Sequence, residues 1–171
     1  MFLLPLQMVG CPHESSASDV VGRMRTPAAV VARHLAEFSR DGVAAVLLST
    51  CHRTELHWWR DIDMTAWFDT HVVPRGCGPA SVEQRDPDFS VRHLFAVTSG
   101  MRSARCGEPD IMLQVRTAWT AAQDAHASHS LLDAIFCRAL QAARHIRLAI
   151  GTDADPALGA RVRDMVVSQR A

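Results

Sequence analysis

A short apolar run that ends in polar and reactive residues constrains the fold of this chain more than any other feature. Residues 43–48 are all aliphatic, and the segment 49–55 that follows contains Cys51 and Arg53. An apolar run of this length, bounded by polar residues, is typical of a buried strand. A nearby guanidinium favours the thiolate form of a cysteine at a strand end. The pattern therefore indicates either a nucleophilic thiol or a small buried cysteine in a strand-end turn.

The remaining patterns predict an α+β chain in which a small sheet is followed by a helical half. We interpret residues 1–171 as one domain, with a sheet-containing half at 1–80, a helical half at 87–150 and a C-terminal helix at 157–170. The expected elements are strands at 3–10, 43–49 and 54–60 and helices at 27–40, 63–72, 108–127, 130–150 and 157–170, with a further helical segment from residue 87.

The first long helix carries signals at both ends. Thr26 is expected to be its N-cap and Pro27 its first helical residue, a position at which proline is favoured. Asp41 and Gly42 are expected to end it, since glycine readily adopts the left-handed conformation that follows many helices.

Composition excludes several classes of function. The 171 residues carry no net charge, so no overall basic field attracts nucleic acid. All 18 basic residues are arginine, and lysine and tyrosine are absent, which excludes lysine Schiff-base chemistry and a tyrosine general acid. No apolar run reaches the roughly 20 residues that span a membrane. Five cysteines without a CxxC spacing favour free thiols in a reducing cytoplasm and no metal site.

Five segments are similar, in order, to motifs of the glutamyl-tRNA reductase family. Residues 48–56, L-S-T-C-H-R-T-E-L, resemble the family's S-T-C-N-R-x-E. The other four are G-C-P-H-E-S-S at 10–16, V-R-H-L-F-A-V-T-S-G-M-R-S at 91–103, G-E-P-D-I-M-L-Q-V-R at 107–116 and L-Q-A-A-R-H-I-R at 140–147. Over residues 6–150 the chain resembles the N-terminal catalytic domain of that family. The resemblance implies a small antiparallel sheet with packed helices, followed by a helical half.

The resemblance also implies a chemistry, which belongs to tetrapyrrole biosynthesis. In the family a cysteine thiolate attacks the ester that joins glutamate to tRNA, and NADPH then reduces the thioester. Cys51 matches this nucleophile, and Thr50 and Arg53 match residues that hold the substrate. His93 matches a histidine close to the thiol that could act as an acid or a base. Ser103, Glu108 and Gln114 match the lining of the glutamate pocket.

Three of these assignments have a plainer alternative. Arg53 could form a surface ion pair with Glu55, and His93 could be a histidine on a partly buried helix face. Glu108 could simply favour the positive end of the helix that begins beside it.

Departures from the family pattern suggest that the chain has been repurposed. His52 replaces an asparagine, Arg102 replaces an aspartate, and Arg105 and Cys106 replace apolar residues. The chain has no G-x-G-x-x-G stretch after a strand, so we expect no NADPH site in this chain. Reduction would then need a reductase partner, and the acyl group could pass to another acceptor.

Two other functions stay open at this point. In one, the chain is a haem protein or a haem-dependent enzyme of a specialised nitrogen pathway, since thiolates and imidazoles ligate haem iron. Its candidate ligands are Cys11, His13, Cys51 and His52. In the other, the chain is a non-catalytic regulator. The partners considered are glutamyl-tRNA or a small amino-acid-derived substrate, haem, a reductase and a second copy of the chain, with no membrane involved.

Overall fold

The computed structural model describes residues 6–12, 22–59, 62–75, 83–85, 87–103, 108 and 110–150. Residues 22–24 form a single helical turn. The strands and longer helices of the described residues are β1 Leu6–Pro12, α1 Ala28–Arg40, β2 Ala44–Ser49, β3 Arg53–Trp59, α2 Thr65–His71, β4 Glu83–Arg85, α3 Pro87–Thr98, α4 Asp110–Asp124 and α5 Ser130–Ile150. The α+β class, a small antiparallel sheet with packed helices, is as predicted from the sequence, although β4 lies beyond the predicted sheet-containing half at 1–80.

The four strands form one antiparallel sheet in the order β2-β3-β1-β4. β2 and β3 are joined by a tight hairpin, and β3 is central, with Glu55 opposite Gly10 on one side and Leu48 on the other. β4 was not predicted from the sequence because its three residues, Glu-Gln-Arg, carry no apolar pattern. It is recognised only through its pairing with β1.

Alternation along β3 divides its side chains between two layers of helices. The ring of His57 lies 5.9 Å from that of Phe136 on α5, which places the odd-numbered side chains of β3 on the face covered by α3 and α5. On the opposite face Thr54 Oγ1 donates a hydrogen bond to the Met24 carbonyl, 3.2 Å away. Leu56 and Trp58 share this second face, because side chains alternate along a strand. Both faces of β3 are therefore buried.

The bounds of α1 test the predicted end signals. The helix begins at Ala28 with Pro27 as its N-cap, one residue later than predicted, and no side chain caps it. Thr26 Oγ1 donates instead to the Met24 carbonyl at 3.2 Å. The predicted stop is confirmed, since Gly42 adopts a φ of 67° and its N–H donates to the Ser39 carbonyl.

The helical half is described to Ile150. α4 and α5 lie within a few residues of their predicted bounds, whereas the predicted helix at 157–170 lies outside the described residues. Among the residues that the structure describes, no helix is long and apolar enough to cross a membrane. The core between the layers contains large, fully buried side chains from every part of the fold, among them Leu6, Leu35, Leu56, Trp58, Phe68, Leu94 and Phe136.

Candidate functional site

The β2–β3 hairpin is shaped by the side chain of Thr50. Thr50 Oγ1 accepts hydrogen bonds from the N–H groups of His52 and Arg53, each at 3.1 Å. The Thr50 N–H donates to the Arg53 carbonyl at 2.8 Å. The hydroxyl therefore satisfies two backbone donors that the tight turn would otherwise leave without an acceptor.

This turn places Cys51 and His52 at its tip, and both side chains are exposed. Cys51 is therefore not the small buried cysteine that the sequence left open as one of two interpretations. Arg53, only two residues away, points the other way and is 1% exposed. The hairpin thus separates an accessible thiol from a buried cation at its base.

Arg53 is held on two sides. Its Nη1 donates to Glu55 Oε1 at 3.0 Å, and its Nη2 donates to the Arg102 carbonyl oxygen in the loop after α3. The ion pair with Glu55 that the sequence offered as an alternative is present, but it is buried rather than on the surface. The second contact ties the hairpin to the loop that carries Ser103.

Glu55 is the centre of a buried polar cluster, which consists of Arg53, Glu55, His57 and His93. His93 Nε2 lies 2.9 Å from Glu55 Oε1, and His57 Nε2 lies 3.2 Å from Glu55 Oε2. Burial raises the pKa of the Glu55 carboxyl. The charges of Arg53 and of His93 in its acid form, with the hydrogen bonds from both histidines, outweigh burial and hold that pKa well below its usual range. Glu55 is therefore an acceptor-only carboxylate near neutral pH.

Gly10 makes room for this carboxylate. A Cβ atom at residue 10 would lie 2.7 Å from Glu55 Cγ and 3.0 Å from the Thr54 carbonyl oxygen. Real Cβ atoms do not approach other atoms so closely, so any larger residue would displace the strand or the Glu55 side chain. The glycine is thus part of the support for the polar cluster.

The remaining predicted pocket residues lie at different depths. Ser103 is buried directly after Arg102, while Glu108 and Gln114 are half-buried. Gln114 lines a groove between α1, β2 and α4 that also contains Ser49, two residues before Cys51. The Glu108 carbonyl accepts from Arg147 at 3.4 Å, which places this residue beside the end of α5. Gln114 therefore shares its groove with the residue that ends β2.

The candidate haem ligands lie at different depths in the described part of the chain. Cys11 is fully buried in the core, and His13 lies outside the described residues. His52 and Cys51 are exposed at the hairpin tip. Within the described ranges no three His, Cys, Asp or Glu side chains lie where they could hold a metal ion.

The motif at 48–56 contains Glu55, but neither Glu55 nor His57 was predicted to be a site residue. The signal was available in the period of two along β3, because Arg53, Glu55 and His57 alternate with Thr54 and Leu56. What the sequence could not show is that His93, 38 residues further on, meets the same carboxylate.

Most of the chain matches one protein family. A family model described as "Glutamyl-tRNAGlu reductase, N-terminal domain" matches residues 9–150. The chain is 40% identical over 114 residues to a glutamyl-tRNA reductase of Xanthomonas campestris pv. campestris (strain B100), a match that covers 66% of this chain and 26% of the relative. A glutamyl-tRNA reductase of Neisseria gonorrhoeae (strain NCCP11945) is 30% identical over 148 residues, covering 84% and 36%.

A solved structure gives the same fold. The glutamyl-tRNA reductase from Methanopyrus kandleri superposes with a TM-score of 0.72 at 24% identity, covering 85% of this chain and 35% of that chain. The present chain thus spans about a quarter to a third of the length of the relatives that it matches. The matched region contains the hairpin, α3 and α4, with the thiol and the buried polar cluster. The chain belongs to the family of glutamyl-tRNA reductase N-terminal domains.

Proposed function

We propose that this chain takes the glutamyl group of glutamyl-tRNA onto Cys51 as a thioester. The observation that carries the proposal is the exposure of Cys51 at the tip of a turn whose backbone is fixed by Thr50. A thiol presented in this way can meet a large substrate without movement of the fold. The names of the relatives, all glutamyl-tRNA reductases, supply the substrate class.

The proposed step is an acyl transfer that balances without an oxidant or a reductant. The thiolate of Cys51 attacks the ester carbonyl, an S–C bond forms, and the C–O bond to the terminal ribose breaks. The ribose oxygen leaves and takes up a proton, so free tRNA and a glutamyl thioester are the products. Hydride transfer to the thioester is a later reaction and is not part of this proposal.

Several neighbouring side chains support a glutamate-sized pocket beside the thiol. Arg53 is fixed at the base of the hairpin, and its contact with the Arg102 carbonyl holds the loop that carries Ser103. Gln114 lines the groove that reaches Ser49. We assign substrate contacts to Thr50, Arg53, Ser103, Glu108 and Gln114, which match the family positions that bind substrate.

Incubation with glutamyl-tRNA labelled in its glutamate tests the proposal. After acid precipitation and nuclease treatment, label that stays with the protein measures thioester formation. Cys51→Ser should lose this label. Cys137→Ser, which alters a half-buried thiol on α5, should keep it and serves as the matched control.

Alanyl-tRNA labelled in its amino acid provides a second control. A pocket built for glutamate should yield far less label from alanyl-tRNA. Equal labelling of the wild type and Cys51→Ser would remove Cys51 as the nucleophile. Equal labelling from both tRNAs would show that the chain has no pocket that selects glutamate.

A further inference from the structure

The two imidazoles of the polar cluster are bound in the same way. His57 and His93 each direct Nε2 to one oxygen of Glu55, at 3.2 Å and 2.9 Å. The Nδ1 atom of each ring is buried and has no hydrogen-bond partner among the described residues. In each ring, therefore, one nitrogen is bound to Glu55 and the other is buried.

The charge of Glu55 determines which nitrogen of each ring donates. An ionised carboxylate only accepts hydrogen bonds, so both Nε2 atoms must carry the hydrogen. The charge of Glu55 is balanced by Arg53 at 3.0 Å. Each imidazole is therefore bound to Glu55 through its Nε2–H.

The strand neighbours of the cluster are apolar. Across the sheet, Glu55 faces Gly10 and Leu48, and His57 faces Met8 and Val46. On the helical side, α5 contributes the Phe136 ring, and the ring of Phe89 stacks on His93 at 5.7 Å. The Arg102 guanidinium lies 5.9 Å from the centroid of the Phe89 ring, and the Arg102 carbonyl accepts from Arg53.

We propose that His93 and His57 are a pair of positioning residues, hydrogen-bond donors that hold Glu55 so that Glu55 holds Arg53 beneath the thiol-bearing hairpin. His93 then acts through Glu55 and not as a general acid or base. This role differs from the acid–base role that the family resemblance implied. The positioning role adds detail to the proposed function. It rests on the proposed function only in the experiments that measure acylation.

Nitrogen NMR of the histidine side chains tests the proposal without any substrate. In protein labelled with ¹⁵N-histidine near neutral pH, His57 and His93 should both show the pattern of a ring that carries a hydrogen on Nε2. Assignment uses His57→Gln and His93→Gln, each of which removes one set of signals. A His93 ring with a hydrogen on Nδ1 alone would overturn the proposal.

Acylation kinetics test the role of the pair in the reaction. Gln can donate one hydrogen bond from its amide but cannot transfer a proton at these pH values, whereas Leu can do neither. We expect His93→Leu to slow acylation roughly 10- to 100-fold. Loss of a side chain that supports a metal ligand has an effect of this size at metal sites. His93→Gln should recover most of that loss and keep the pH dependence of the wild type. The same two changes at His57 should follow the same order.

A general acid or base gives a different result. His93→Gln would then be as slow as His93→Leu, a limb of the pH–rate profile would disappear, and His57→Gln would not share either effect. That outcome would overturn the positioning role while leaving the acylation of Cys51 intact. Failure of the proposed function would instead remove acylation from the wild type itself, and the NMR result would still decide the state of the two rings.

Discussion

The molecule contains two histidine–glutamate pairs of nearly equal geometry in different surroundings. His34 Nδ1 donates to Glu37 Oε2 at 3.0 Å within α1, and His93 Nε2 donates to Glu55 Oε1 at 2.9 Å between α3 and β3. The Glu37 side chain is 35% exposed, whereas the Glu55 side chain is fully buried. Distance alone therefore does not distinguish the two pairs.

The difference lies in what each pair connects. His34 and Glu37 are three residues apart on one helix, so their contact adds little to what the helix already fixes. Glu55 joins β3 to α3 through His93 and, through Arg53, to the loop after α3. A buried carboxylate with several partners determines the arrangement of distant segments, and its loss leaves a buried charge without compensation. The same chemical pair is thus local support in one place and an organising centre in the other.

Neutralising each carboxylate in turn should give the largest difference in stability between the two pairs. Glu55→Gln leaves the Arg53 cation buried without its counter-charge, and we expect the free energy of unfolding to fall by roughly 3–5 kcal/mol. Glu37→Gln, the matched control, should barely move the midpoint of urea denaturation because solvent replaces the lost contact. Similar midpoints for the two variants would contradict the comparison.

Lowering the pH should also change the contributions of the two pairs to stability by different amounts. The folded-state pKa of Glu55 lies well below its unfolded value of about 4.3, because His93 and Arg53 outweigh burial. Its stabilising contribution is therefore fully present above about pH 4.3 and is lost as the pH falls from there through the folded-state pKa. Acid titration of stability, followed by urea denaturation at each pH, should show a limb that Glu55→Gln flattens and Glu37→Gln leaves in place.

Crowding at the carboxylate should have the next largest effect. Gly10→Ala introduces a Cβ atom 2.7 Å from Glu55 Cγ, and overpacking of this kind lowers stability by about 1–3 kcal/mol. Gly22→Ala is the control, since a Cβ atom there has nothing within 4 Å. Thermal unfolding of both variants checks the prediction, and an unchanged midpoint for Gly10→Ala would show that the strand yields easily.

The smallest effect is expected at the turn. Thr50→Val keeps the shape of the side chain but removes the acceptor for two backbone N–H groups, so stability should fall by about 1 kcal/mol. Thr117→Val removes only an exposed bond to the Leu113 carbonyl and should have less effect. Hydrogen exchange at the amides of His52 and Arg53 should accelerate in Thr50→Val alone. Unchanged exchange rates at these amides in Thr50→Val would show that Thr50 does not support the turn.

The sequence predicted the parts of this site that depend on local pattern. The strand before Cys51, the hairpin position of the thiol and the glycine stop of α1 all follow from short-range signals. The shared contact of His57 and His93 with Glu55 depends on the packing of α3 against the sheet, which no local pattern encodes. The role of Gly10 has the same origin, because strand pairing brings it opposite Glu55.

Locating the acyl adduct shows whether the exposed thiol of Cys51 accepts the glutamyl group. Wild-type protein would be incubated with glutamyl-tRNA, quenched in acid, digested and mapped by mass spectrometry. We expect a glutamyl adduct on the peptide that contains Cys51 and none on the peptide that contains Cys137. An adduct confined to another residue, or no adduct from a substrate that stays charged throughout, would contradict it.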